Sequence, residues 1–83
     1  MNKEKRYKNK RKFENWEDLP NGGRRYWYNL KGRFGWSARY VKEVDAGEKT
    51  IRFYQEIYNE NHELVEIHQK YPEDKGHQKV LEE

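Results

Sequence analysis

The sequence predicts a mainly β domain: a four-stranded antiparallel meander, curled or partly barrel-like, behind a short N-terminal helical turn and a basic flexible arm. Three observations carry the prediction. From Arg24 onward, β-branched and aromatic residues recur in short runs, the residue types that suit a pleated, half-buried surface. Breaks containing Gly and Asn separate these runs at hairpin spacing. Apolar surface is concentrated in rings, with 7 Tyr, 3 Trp and 3 Phe among 83 residues.

In chain order, residues 1–12 hold seven Lys/Arg and one Glu, with only Met1 and Tyr7 apolar, so they read as a mobile arm without an anchor. Phe13, Trp16 and Leu19 recur every third residue before Pro20, which fits a helical or 3₁₀ turn ended by the proline. Asn21, Gly22 and Gly23 then turn the chain. Strands are expected near 24–31, 36–45, 50–58 and 64–71. In the last of these, Leu64, Ile67, His68 and Tyr71 also match a helical face. The tail from Pro72 reads as a loop with a last turn at Val80 and Leu81. Residues 13–83 thus form a single small domain.

Turn chemistry sets the registers, since a slip of one residue turns every side chain to the other face. A two-residue Gly47-Glu48 turn pairs Val44 with Ile51, Ala38 with Ile57, Arg39 with Glu56 and Glu43 with Arg52. A three-residue loop at Glu60, Asn61 and His62, with Asn61 left-handed, pairs Ile57 with Val65 and Ile51 with Tyr71. A Gly32-Arg33-Phe34 loop sets Leu30 beside Trp36, Tyr28 beside Ala38 and Tyr26 beside Tyr40. One face then gathers Tyr26, Tyr28, Leu30, Trp36, Ala38, Tyr40, Val44, Ile51, Phe53, Ile57, Val65, Ile67 and Tyr71. Phe13, Trp16, Leu19, Val80 and Leu81 are too few to cover it, so the sheet curls on itself or a homodimer closes its apolar face.

Composition narrows the function classes. Leu, Ile, Val and Phe make up only 14 of 83 residues and 40% are charged, but a net charge of +3 and the aromatic content favour a folded chain with a thin core over disorder. There is no cysteine, hence no disulfide framework or thiolate site. No apolar run reaches the ~18–20 residues of a membrane span, and no apolar stretch follows the basic start as in a signal peptide. A cytoplasmic protein with no cofactor is expected. Residues 1–42 carry 13 Lys/Arg and 4 Asp/Glu, and residues 43–83 carry 5 and 11. A basic first half points toward a polyanion, although basic tails also serve solubility alone.

In these registers the open face reads in cross-strand rows: Trp27, Arg39, Glu56 and Glu66; Arg25, Val41, Tyr54 and His68; Glu43, Arg52 and Lys70. Trp27, Tyr54 and Tyr58 among Arg25, Arg39, Arg52 and Lys70 suit single-stranded nucleic acid, with rings stacking on bases and cations meeting phosphates. Lys8, Lys10 and Arg11 of the arm add salt-sensitive affinity. RNA is the favoured partner. Exposed Tyr and Arg are also ordinary cross-strand partners.

The alternative is a small metal-independent ribonuclease of toxin type. Glu56 opposite Glu66 disfavours ionisation of both, and His68, Tyr54 and Arg39 beside them supply an acid or base and a cation for phosphorane charge. The same groups also make an ordinary ion network. A structural or protein-interaction domain is the third class. No metal site is expected, since His62, His68, His77 and Asp74 lack ligand spacing.

WSARYVKEVD together with FYQEIYNENHELVEIHQKYPEDKGH resembles a family of short uncharacterised prokaryotic proteins. The resemblance covers about residues 24–77 and implies a stand-alone domain. It carries no activity and no functional residue with it.

Overall fold

A computed structural model describes residues 3–80. It contains α1 (Lys3–Phe13) followed by β1 (Asn15–Asp18), β2 (Arg24–Lys31), β3 (Ser37–Val44), β4 (Thr50–Tyr58), β5 (Leu64–Tyr71) and β6 (Gly76–Lys79). The strands form one antiparallel sheet in chain order, β1-β2-β3-β4-β5-β6, with no pairing between its two edges. The fold is therefore mainly β and open, with six strands where four were expected. Segment 64–71 is a strand and not a helix.

Most of the segment read as an arm is helix. Lys, Arg and Glu are good helix formers, Glu4 sits in the first turn and Lys10, Arg11 and Lys12 in the last, each complementing the helix dipole. Arg6, Asn9 and Phe13, spaced three and four apart, share one face. That face docks: Asn9 and Phe13 are buried, and Arg6 reaches Glu48 at 3.4 Å. Met1 and Asn2 of the expected arm lie outside the described residues.

The helix stops at Glu14, whose φ of 63° is the left-handed conformation of a helix cap; its amide donates to the Lys10 carbonyl at 3.2 Å. That reversal sends the chain into β1, not into the helical turn expected over 13–19. Trp16 pairs with Tyr26, and Asp18 with Arg24. At the other end, part of the expected tail loop adds as β6, pairing His68 with His77 and Gln69 with Gly76. Val80 follows β6 in a bend, and Leu81 of the expected last turn lies outside the described residues.

Three hairpins share one loop design. In residues 45–49 the Asp45 amide donates to the Lys49 carbonyl and the Glu48 amide to the Asp45 carbonyl, with Glu48 at φ 66°. In residues 59–63, Asn59, Glu63 and His62 (φ 62°) do the same. In residues 19–23 the left-handed position falls to Gly22. This is a three-residue loop with a type I turn and a left-handed third residue. Asp45 and Asn59 fix it through their side chains, each accepting from the amides two and four residues on.

Loop length corrects the registers. Three loop residues instead of two place Val44 opposite Thr50, not Ile51, across a bulge; Arg39 still faces Glu56 and Glu43 still faces Arg52. Between β2 and β3 the Gly32 amide closes the loop on the Trp36 carbonyl, so Tyr28 faces Tyr40 and Leu30 faces Ala38, a shift of two that keeps the faces. Between β4 and β5, irregularities at Phe53/Tyr54 and Ile57/Tyr58 put Glu56 opposite Ile67 and Ile57 opposite Glu66. That is a shift of one, and it turns Glu66 and His68 to the other side of the sheet from Glu56.

The core sits under α1. Phe13, Tyr26 and Val44 are buried together, with Tyr28 and Phe53 packed against them. Phe13 lies 5.4 Å from the Tyr28 ring, and Tyr28 stacks on Tyr40 at 5.1 Å. The chain's own helix thus covers the centre of the apolar face expected to need curling or a second copy. Leu30, Trp36, Ile51 and Tyr71 of the expected core remain exposed.

Candidate nucleic-acid interface

On the sheet face away from α1, strand alternation sets Arg25, Trp27 and Asn29 of β2 beside Arg39, Val41 and Glu43 of β3 and Arg52, Tyr54, Glu56 and Tyr58 of β4. Val41 and Tyr54 are buried at its centre. Around them lies a hollow of about 390 Å³, lined by Glu17, Arg25, Trp27, Arg39, Val41, Tyr54, Glu56 and Tyr58.

Two arginines there play different parts. Arg25 is held from both sides, by Glu17 at 2.6 Å and Glu43 at 3.1 Å. Arg39 donates to the Asn29 side chain at 3.0 Å and lies between two rings, 6.0 Å from Trp27 and 5.7 Å from Tyr58. Among the described residues it forms no ion pair; the Tyr58 hydroxyl donates to the nearby Glu56 at 3.1 Å. Arg52 stacks on Tyr54 at 4.3 Å and donates to Gln69. Burial, then the charges of Glu43 and Glu56, push the Tyr54 phenol up to about 12. Its hydroxyl donates to Glu43 at 3.2 Å. The hollow can therefore present stacking surface and, in Arg39, a guanidinium without a carboxylate partner among the described residues; it is not a broad cationic sheet.

The expected site residues divide. Arg25, Trp27, Arg39, Arg52, Tyr54 and Tyr58 share this face. Lys70 does not: its Nζ lies 5.1 Å over Tyr40 and 6.0 Å over Phe53 on the helix side. Lys8, Lys10 and Arg11 belong to α1, where Lys8 pairs with Glu4 at 3.6 Å and Lys10 lies 4.6 Å over Trp16. The expected catalytic group is split in the same way. Arg39, Tyr54 and Glu56 line the hollow, whereas Glu66 and His68 face the other side. There His68 Nε2 contacts Asp74 at 2.7 Å, His77 Nδ1 contacts Glu66 at 3.4 Å, and the two imidazoles lie 4.5 Å apart. A hydrogen bond from the Gly76 amide, then His68, holds Asp74 below the usual carboxylate range.

Sequence reasoning missed Glu17, because its segment read as helical, and Lys42, whose place between Tyr40 and Val44 on the core face was a readable signal. Among the described residues no group of three or more His, Cys, Asp or Glu could hold a metal ion, and no helix is long and apolar enough to cross a membrane.

Fold and hollow define a small open-sheet module with an aromatic, cation-stacked depression on one face and a basic helix on the other. No family model, curated protein or solved structure matches the chain.

Proposed function

We propose that this chain is a binding module for single-stranded nucleic acid, RNA before DNA. The observation that carries the reading is Arg39 lying between Trp27 and Tyr58 with no carboxylate partner among the described residues. Bases stack on such rings and a phosphate takes the guanidinium. The seven Lys/Arg of α1, mostly exposed, against one Glu supply the sequence-independent attraction. The two surfaces meet at the β1 edge, where Trp16 sits under Lys10 and the adjacent Asn15 pairs with Trp27.

The test is fluorescence anisotropy of a labelled single-stranded RNA in EDTA at two salt concentrations, with an equal DNA strand beside it. Salt-sensitive binding that weakens in Trp27→Ala supports the reading. No binding at low salt overturns it.

The His68 and His77 pair favours a second reading, a metal-independent ribonuclease whose site lies at β5 and β6 and not in the hollow. Two imidazoles, each against a carboxylate, fit a general base and a general acid. RNA cleavage in EDTA that disappears in both His68→Ala and His77→Ala would establish it; intact RNA would remove it.

A further inference from the structure

Under α1, on the side of the sheet opposite the hollow, Lys42 sits half-buried on the core face. Its Nζ donates to Asn9 Oδ1 at 2.9 Å. It has no ion pair among the described residues, since Glu48 is taken by Arg6, Asn9 and Tyr26. Burial, and after it the charge of Lys12, hold the Lys42 ammonium below the usual lysine range; Lys5 adds to this and Glu48 opposes it.

Beside Lys42 opens a cavity of about 440 Å³, lined by Phe13, Phe53 and Tyr71 and by Lys12, Lys42, Lys49 and Thr50. A second hollow of about 340 Å³ shares Lys42, Lys49 and Thr50 and runs on past Asn9 and Glu48, the latter already engaged by Arg6, Asn9 and Tyr26, to Lys5 and Lys8. Lys12 and Lys49 are exposed, and like Lys42 they form no ion pair among the described residues. The charge of Lys12 acts against that of Lys42 and Lys49 shares their wall, and a doubly charged anion offsets such a cluster better than a single carboxylate. Apart from Thr50 the rest of the wall is aromatic, and the volume lies within the range of about 300–1,000 Å³ usual for small-ligand sites.

We propose that this cleft binds a nucleoside phosphate, with the phosphate on Lys12, Lys42 and Lys49 and the base against Phe53 and Tyr71, over the buried edge of Phe13. Aromatic stacking joined to a phosphate monoester is the chemistry that meets both halves of the wall. The ligand is either a free nucleotide or the 5′-phosphorylated end of a strand. The inference stands on the cleft and does not need the Arg39 hollow.

Isothermal titration with adenosine 5′-monophosphate, adenosine and inorganic phosphate tests it. The monophosphate is expected to bind at least about tenfold tighter than either fragment, a gain of about 1.4 kcal/mol. Lys49→Glu and Tyr71→Ala, both at exposed positions, are each expected to weaken it by about tenfold with the melting temperature unchanged; Lys42→Met adds a third variant if it folds. Trp27→Ala must leave this binding intact, so failure of the hollow and failure of the cleft read separately. Monophosphate binding no tighter than phosphate, or unmoved by Lys49→Glu, overturns the proposal. Tetra-adenylate with and without a 5′-phosphate then separates the sources. A phosphorylated strand tighter than the monophosphate supports a strand-end site, and the reverse supports a free nucleotide.

Discussion

The Tyr26 hydroxyl donates to Glu48 across 2.8 Å beneath α1, and both residues are almost wholly buried, at 0% and 3% exposure. Glu48 also accepts from Asn9 at 3.2 Å and Arg6 at 3.4 Å, and Arg24 approaches to 4.0 Å. One carboxylate in a hairpin loop thereby ties the helix to the sheet. It does so from a left-handed backbone at φ 66°, beside a glycine at 47 that does not take that position. Such an outlier persists where the surroundings over-determine it.

Glu48→Ala is therefore expected to cost about 3 kcal/mol of unfolding free energy, since removing one member leaves buried donors and cations unpaired. Glu48→Gly loses the same contacts but relaxes the backbone, and should be less destabilising than Ala by about 1 kcal/mol. Urea unfolding of the three proteins measures both. Equal losses would show that the left-handed turn stores no strain.

Phe13→Ala is the test of α1 as part of the fold. Phe13 is 1% exposed and packs on Tyr26, Tyr28 and Phe53, so its truncation should cost about 3 kcal/mol and lower the helical circular-dichroism signal together with the melting temperature. An unstructured arm over residues 1–12 would leave the helical signal unchanged.

Why α1 escaped the sequence reading follows from the same residues. Its docking face is Arg6, Asn9 and Phe13, a single apolar side chain in three, so hydrophobic periodicity has nothing to report. β1 and β6 were illegible for a related reason. NWED is exposed throughout and GHQK nearly so, and their placement comes from main-chain pairing at open sheet edges. β2 to β5 were legible because their aromatic and β-branched runs face a core. In the site, Trp27, Arg39 and Tyr58 stayed together because the β2–β3 error was an even number of residues. Glu66 and His68 were lost from it because the β4–β5 error was odd.

Tyr54 sets a pH dependence. Its phenol is pushed up to about 12 by burial, with Glu43 and Glu56 adding to the shift, against an ordinary tyrosine value of 10.0. The folded state therefore holds this proton more tightly than the unfolded chain. Its contribution to stability is fully present below pH 10 and is lost as pH rises from about 10 to about 12. Tyr54→Phe should flatten that part of the unfolding curve, and its difference spectrum against the parent should show the latest-titrating tyrosinate missing. A phenol in that difference spectrum titrating at the ordinary value would mean that the hollow is wet at its centre.

The last prediction separates base stacking from phosphate attraction. Trp27→Ala removes a ring from the hollow and leaves every cation in place, so RNA affinity should fall by about 1–3 kcal/mol while the slope of log affinity against log salt stays the same. Arg11→Glu with Lys8→Glu acts on exposed positions of α1 and should flatten that slope, because each lost phosphate contact removes close to one released counterion. Arg39→Gln should do some of both, since this side chain stacks between Trp27 and Tyr58 and also offers the charge. Salt titrations of anisotropy for the four proteins measure the two effects independently. If Trp27→Ala binds as the parent does while the α1 variant loses affinity, the helix alone carries the interaction, and the aromatic hollow has no part in it.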